Sequence, residues 1–188
     1  MKKVSVIFHS GYGHTKKVAE HVALGVEKVL GECQLINVDE LDDAKWALLD
    51  SSDAIIFGCP TYMGGVSAKF KAFIDSASGR WMRQTWKDKL AAGFTNSGSM
   101  SGDKLATLFA LFVNASQHGM IWVGQVGASP SLKGLEAAQI TDVNRIGSWV
   151  GLMTQSNQDS PEITPASGDL ETAELFGERI AAIAKKIS

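Results

Sequence analysis

Cysteine is scarce in this chain: two among 188 residues, Cys33 and Cys59. They show no CxxC and no metal-ligand spacing, so neither a disulfide framework nor a zinc site is expected. Cys59 precedes a proline and has no base in view, which argues against a nucleophile. Long apolar runs are missing as well. The longest, 105–113, holds nine residues with a threonine among them and is too short to span a bilayer. The start, MKKVSVIFHSG, has two lysines but only five residues from Val4 to Phe8 before His9, too few for the core of a signal peptide. Neither sign of charge prevails, with 18 Lys and Arg against 20 Asp and Glu. The missing basic stripe removes the electrostatic footprint of a nucleic-acid partner. The missing acidic excess leaves little field for the docking face of an electron carrier. These absences together describe a reduced, cytoplasmic protein that inserts in no membrane.

What is present alternates. Residues 3–9 form a buried strand pattern, with Val4, Val6, Ile7 and Phe8 nearly continuous. From Thr15 to Leu30, Val18, Val22, Val26 and Val29 recur at helical spacing, and Gly31 suits the helix end. CQLINV (33–38) is a second strand, and LDDAKWALL is a short helix anchored by Trp46. AIIFG (54–58) is a third strand. Val66, Phe70, Phe73, Ile74 and Ala77 mark the helix after it. KLAAGFTN (89–96) is a fourth strand. The following helix, 103–118, is apolar almost all round and is expected to be well buried. MIWVG (120–124) is a fifth strand, and SWVGLMT (148–154) has the pattern to complete or extend it. Residues 125–168 otherwise lack a period and read as an irregular insertion around strand five. A last helix spans 169–187. No linker divides the chain, so a single domain over 1–188 is expected.

Strands alternating with helices imply α/β architecture: a doubly wound parallel sheet with helices on both faces. Five strands that open on a binding loop fit the order 2-1-3-4-5, whose ligands sit beyond the carboxyl ends of the strands. Three carboxyl-end loops have the composition for that place. SGYGHT follows strand one, PTYMGG strand three and NSGSMSG strand four. In the first, glycines bring backbone N–H groups close to a ligand, Ser10 and Thr15 add hydroxyls, and the helix start adds its dipole. Taken alone it reads equally well as a capped strand-to-helix turn. The Walker pattern is absent, and the dinucleotide fingerprint fails at Lys16, although Asp39 at the end of strand two keeps NAD binding open. The second and third loops add apolar surface at Tyr62 and Met63 and small polar donors around Asn96, as a flat aromatic ring would need. His9, His14 and His21 have no companion carboxylate cluster, so no metal is expected.

SGYGHT, AIIFGCPTYMGGVSAKFKAFID, SGRW, AAGFTNSGSMSGD and HGMIWVG occur in an order and spacing that resemble the flavodoxin-fold NAD(P)H:quinone oxidoreductases of the tryptophan-repressor-binding-protein family. The likeness covers most of the chain. It implies a flavodoxin-like fold and bound FMN. The phosphate would lie on Ser10, Gly11, Tyr12, Gly13, His14 and Thr15. The ring would lie against Pro60, Thr61, Tyr62, Met63, Gly64 and Gly65. Asn96, Ser97, Gly98 and Ser99 would border the ring and ribityl chain. It places His118 near the flavin as a catalytic candidate. Trp81, with Tyr62, becomes part of a substrate pocket that a neighbouring subunit completes, in a homo-oligomer that is a dimer or a tetramer. Segment 39–52 is shorter than the family's, and Tyr62 and Met63 stand where the family commonly has other ring-covering residues.

The resemblance implies hydride transfer from NADH or NADPH and two-electron reduction of a quinone. One shared ring face predicts ping-pong kinetics. Two alternatives stay open: an electron-carrying flavodoxin, and a flavin-free binding or regulatory module on the same fold.

Overall fold

The computed structural model describes residues 2–127 and 138–187. Strand β1 (Val4–Phe8) is buried at every position, as a continuous apolar run must be when both sheet faces are covered. Helix α1 (His14–Leu30) turns Val18, Val22 and Val26 inward. Strand β2 (Gln34–Asn37) and a single 3-10 turn (Val38–Glu40) lead to α2 (Asp43–Ser51). The carboxylate of Asp42 caps α2 by accepting from the Lys45 N–H at 2.8 Å. Next come β3 (Ala54–Tyr62), β4 (Gly65–Val66), α3 (Ala68–Ser76) and α4 (Ser78–Met82). The remainder is β5 (Leu90–Ser97), α5 (Lys104–Gln117), β6 (Ile121–Trp122), β7 (Leu152–Gln155) and α6 (Ser167–Lys186).

The sheet runs β2-β1-β3-β5, all parallel. Two short strands share the next place. β6 pairs with Leu90 and Ala91, and β7 pairs further along with Phe94 to Ser97. The expected 2-1-3-4-5 order therefore holds, with its fifth place built from two separate pieces of chain. The second piece overlaps the strand pattern of 148–154 at residues 152–154 and runs on to Gln155. Side chains alternate across the sheet at period two. Val6, Ile56, Ala92 and Phe94 pack under α1 and α6 with Phe176 and Ile180. Ile7, Ile55, Phe57 and Ala91 pack on the other face with Phe70, Phe73, Trp86, Leu108 and Leu111.

Three expectations change. Strand three does not stop at Gly58. It continues to Tyr62 and folds back through an antiparallel pair, Thr61 with Val66 and Tyr62 with Gly65. PTYMGG is thus a strand end and a hairpin rather than a loop. Helix α5 is not buried all round. Leu108, Leu111 and Ala115 face the core, while Leu105, Phe109 and Val113 are 55%, 56% and 48% exposed. The insertion is not irregular throughout, because it contains β7 and the start of α6; its residues 128–137 lie outside the described residues.

Candidate functional site

The strand ends decide where the site is. β1, β3, β5 and β7 are parallel neighbours, so the chain leaves all four at one edge of the sheet. A cavity of about 720 Å³ opens there, within the range of small-molecule sites. Ser10, Tyr12, His14 and Thr15 line it from the β1–α1 connection. Pro60, Thr61 and Tyr62 line it from the end of β3, and Asn96, Ser97 and Gly98 from the end of β5. A fourth wall comes from residues 156–161, just after β7.

At the β1 end, the Ser10 hydroxyl accepts from the Gly13 N–H at 3.1 Å, which tightens the turn. Gly13 has φ 94°, a conformation that L side chains rarely adopt. A β-carbon there would also come within 2.7 Å of Pro161 Cγ. No side chain caps α1, so its first N–H groups are left to a ligand or to water, with the positive end of the helix dipole behind them. His14 Nε2 donates to the Asp159 carbonyl at 2.7 Å and fastens the fourth wall to this helix start.

Hydroxyl and amide groups fill the floor. Thr61 donates to Thr107 at 2.8 Å, and its hydroxyl lies 2.8 Å from that of Thr95. Asn96 Oδ1 accepts from Thr154 at 2.8 Å and Ser156 at 2.9 Å, which leaves its NH₂ group as a donor for other partners. At the mouth, Tyr12 and Tyr62 meet edge to face at 6.4 Å. Burial, with the neighbouring Tyr12, pushes the Tyr62 phenol above its ordinary range against the Gly11 N–H. This hydroxyl therefore stays protonated near neutrality.

Ten of the expected cofactor residues line the cavity. Gly11 and Gly13 shape its wall without lining it. Met63, Gly64 and Gly65 form the hairpin tip, and Met63 is fully exposed. Ser99 turns its carbonyl to Lys104. Trp81 stands on α4, 46% exposed and away from the cavity.

His118 is not brought to the cavity. It ends α5, which carries the chain back to the opposite edge of the sheet, and the next residue accepts through its carbonyl from Asp88 just ahead of β5. There His118 is 5% exposed, packed 4.6 Å from Trp86, with Nδ1 unpartnered among the described residues. Conversely, sequence reasoning passed over residues 156–161. The signal was present: a strand at 148–154 that completes the fifth place must also end in a carboxyl-end loop, and SNQDSP has the polar, turn-forming composition of one.

Comparison with known proteins agrees with the fold. A family model described as NADPH-dependent FMN reductase matches residues 6–132. The chain is 42% identical over 187 residues to the flavodoxin FldP of Pseudomonas aeruginosa, covering 100% of this chain and 99% of that protein. It is 30% identical over 209 residues to an NAD(P)H dehydrogenase (quinone) of Archaeoglobus fulgidus, covering 100% of each. The crystal structure of the flavodoxin, WrbA-like protein from Agrobacterium tumefaciens superposes with TM-score 0.77 at 41% identity, covering 100% of both chains. Among the described residues, no helix is long and apolar enough to cross a membrane.

Proposed function

We propose, from the premise that this chain belongs to the NADPH-dependent FMN reductase family, that it is an FMN-dependent NAD(P)H:quinone oxidoreductase working by two-electron transfer. The observation that carries the reading is one cavity at the strand-end edge, with an uncapped helix start at one side and neutral hydroxyl and amide donors across its floor. That donor set fits a phosphate joined through a polyol to a ring. Ser10, Thr15 and the backbone of 11–14 would hold the phosphate. Thr61, Asn96, Ser97 and Gly98 would hold the polar middle and the ring edge, and Pro60 and Tyr62 would cover the ring. Bound there, FMN supplies a ring that accepts a hydride from NADH or NADPH and returns two electrons to a quinone.

The protein's part is position and charge. Asn96, its oxygen engaged by Thr154 and Ser156, presents only donors to the site. Preorganised N–H donors of this kind stabilise negative charge as it develops on a ligand. Tyr62 keeps its proton, so it adds no anion to the mouth. His118, buried beside Trp86 at the other edge of the sheet, is given no role in this reading.

Nicotinamide donor and quinone share one mouth, so the first product leaves before the acceptor enters. Initial velocities of the FMN-loaded protein, with NADH or NADPH varied at several benzoquinone concentrations, test this. Parallel double-reciprocal lines are expected. Intersecting lines would overturn the shared mouth, and failure to oxidise either donor would overturn the reductase reading.

A second reading has its own support. The 42% identity to a protein named a flavodoxin favours an electron carrier. A carrier oxidises neither nicotinamide without a separate reductase, so the same assay separates the two. The proposal extends to a homo-oligomer. Leu105, Phe109 and Val113 form an exposed apolar row on α5, and Trp81 stands free on α4 to meet a neighbouring subunit.

A further inference from the structure

Lys104 runs against two local rules. Its side chain has no exposed surface, and a buried ammonium is costly unless polar groups surround it. It is also the first residue of α5, where the positive end of the helix dipole disfavours a cation. A lysine kept in such a place has partners that require it. Its ammonium donates to the carbonyls of Ser99 and Met100, the latter at 2.9 Å. The preceding carbonyl, that of Gly98, accepts from Gln155 Nε2 at 2.9 Å. Three consecutive carbonyls of the β5–α5 loop are therefore held from the protein side.

A trans peptide unit points its N–H opposite to its C=O. With the carbonyls of Gly98, Ser99 and Met100 drawn inward, the N–H groups of Ser99, Met100 and Ser101 turn outward. None of the three has an acceptor among the described residues. The loop they belong to begins with Ser97 and Gly98, which line the cavity. The support behind it is also charged. Arg145 pairs with Asp169 through two bonds of 2.7 and 2.9 Å, and Asp169 is almost wholly buried. Asp169 accepts from the Gln155 N–H at 2.8 Å, and Arg145 donates to the Gln155 side chain at 3.2 Å. Lys104, Arg145 and Asp169 sum to one net positive charge.

We propose that Lys104 is a positioning residue for the cofactor loop. It draws the carbonyls of Ser99 and Met100 inward so that successive N–H groups stand ready as donors to an electron-rich ligand edge. Gln155, held by the Arg145–Asp169 pair, does the same for Gly98. The ligand named here rests on the flavin reading of the cavity. The charged groups facing Lys104 are Asp169 from α6 and Arg145 from the segment ahead of β7. Burial pushes the lysine down to about 8, helped by Arg145 and opposed by Asp169. FMN affinity is accordingly expected to weaken as pH rises through that value and the ammonium loses its charge.

The test titrates FMN into apoprotein by flavin fluorescence at pH about 7 and about 9.5, either side of the lysine's titration. It also measures amide ¹⁵N relaxation over 99–102 in the apoprotein. Lys104→Met should melt cooperatively, bind FMN at least about tenfold more weakly at the lower pH, the size of one lost charge-assisted hydrogen bond, and lose the pH dependence. Its 99–102 amides should become more mobile than in wild type. Should Lys104→Met fail to fold, Gln155→Leu releases the Gly98 carbonyl alone. Weaker FMN binding and more mobile 99–102 amides then support the proposal, with the pH dependence kept because Lys104 remains, and unchanged affinity with unchanged relaxation overturns it. Unchanged FMN affinity together with unchanged relaxation in the folded variant overturns the proposal. If wild-type apoprotein takes up no FMN, the flavin reading fails. Relaxation then decides the lysine separately: wild-type order in the variant counts against it, and lost order supports it.

Discussion

Two buried histidines are expected to make the fold less stable in acid. His9 Nδ1 lies 2.9 Å from the Ser67 hydroxyl, and His118 packs against Trp86. Burial pushes both imidazoles below their ordinary value, for His9 against the attraction of Asp39. An unfolded histidine protonates near pH 6.5. As pH falls through that value the unfolded chain takes up protons that the folded chain refuses, so stability is lost on the acid side. We expect a lower urea midpoint at pH about 5 than at about 7.5, and a smaller difference in His118→Phe, which keeps an aromatic ring beside Trp86. An unaltered difference in that variant would free His118 of the role. The thiols behave differently. Burial raises Cys33 and Cys59 to about 12, which leaves both as inert packing groups at neutral pH and agrees with the poor nucleophile read for Cys59. At this scale the sequence identified residue types better than places. His118 follows an apolar helix, and its position in the chain does not say which edge of the sheet that helix returns it to. Lys104 reads as an ordinary surface lysine until the loop is seen lying over it.

At the scale of elements, the β3–β4 hairpin stands out. Its two central residues are Met63 with φ 48° and Gly64 with φ 78°. Both positive values belong to the tight hairpin turn that matches strand twist and favours Asn-Gly. Glycine adopts it freely, but methionine is strained there, and its side chain is wholly exposed. Met63→Asn is expected to raise stability by about 0.5–1 kcal/mol in chemical denaturation. If Met63 covers a bound quinone, the same change raises the quinone KM and leaves the NAD(P)H step alone. Stabilisation with unchanged KM would confine Met63 to the turn. In the sequence PTYMGG has the Pro- and Gly-rich composition of a loop, and only the pairing of Thr61 with Val66 and Tyr62 with Gly65 makes it a hairpin. Here Pro60 lies within β3, paired with Asn96 in the register. The fifth strand shows the opposite case. Its second piece was visible in SWVGLMT, yet the consequence for residues 156–161 followed only once β7 was paired to Phe94–Ser97.

At the scale of the whole molecule, helix α5 presents an apolar surface that no described residue of the chain covers. Leu105, Phe109 and Val113 recur every four residues along α5, and Ile121 is exposed beyond its end. Helix α5 has one charged residue, Lys104, and it is buried. A row of this kind is typical of a surface that another protein covers. Light scattering after size exclusion should give at least a dimer for wild type and a smaller species for Phe109→Glu, with the thermal midpoint little changed because residue 109 is outside the core. A monomeric wild type would remove the homo-oligomer from the proposal.

The alternating strand and helix patterns, the parallel sheet and its strand order were determined by the sequence alone. Burial of apolar residues at period two and near period 3.6 is a local demand that each segment states for itself. The three Gly- and hydroxyl-rich segments were equally plain, and topology required them to meet. Tertiary structure alone decided the fourth wall at 156–161, the inward pull of Lys104 and Gln155 on the β5–α5 loop, and the distance of His118 from the cavity. Each depends on pairing between residues far apart in the chain, and such pairing leaves no periodic trace in the residues that make it.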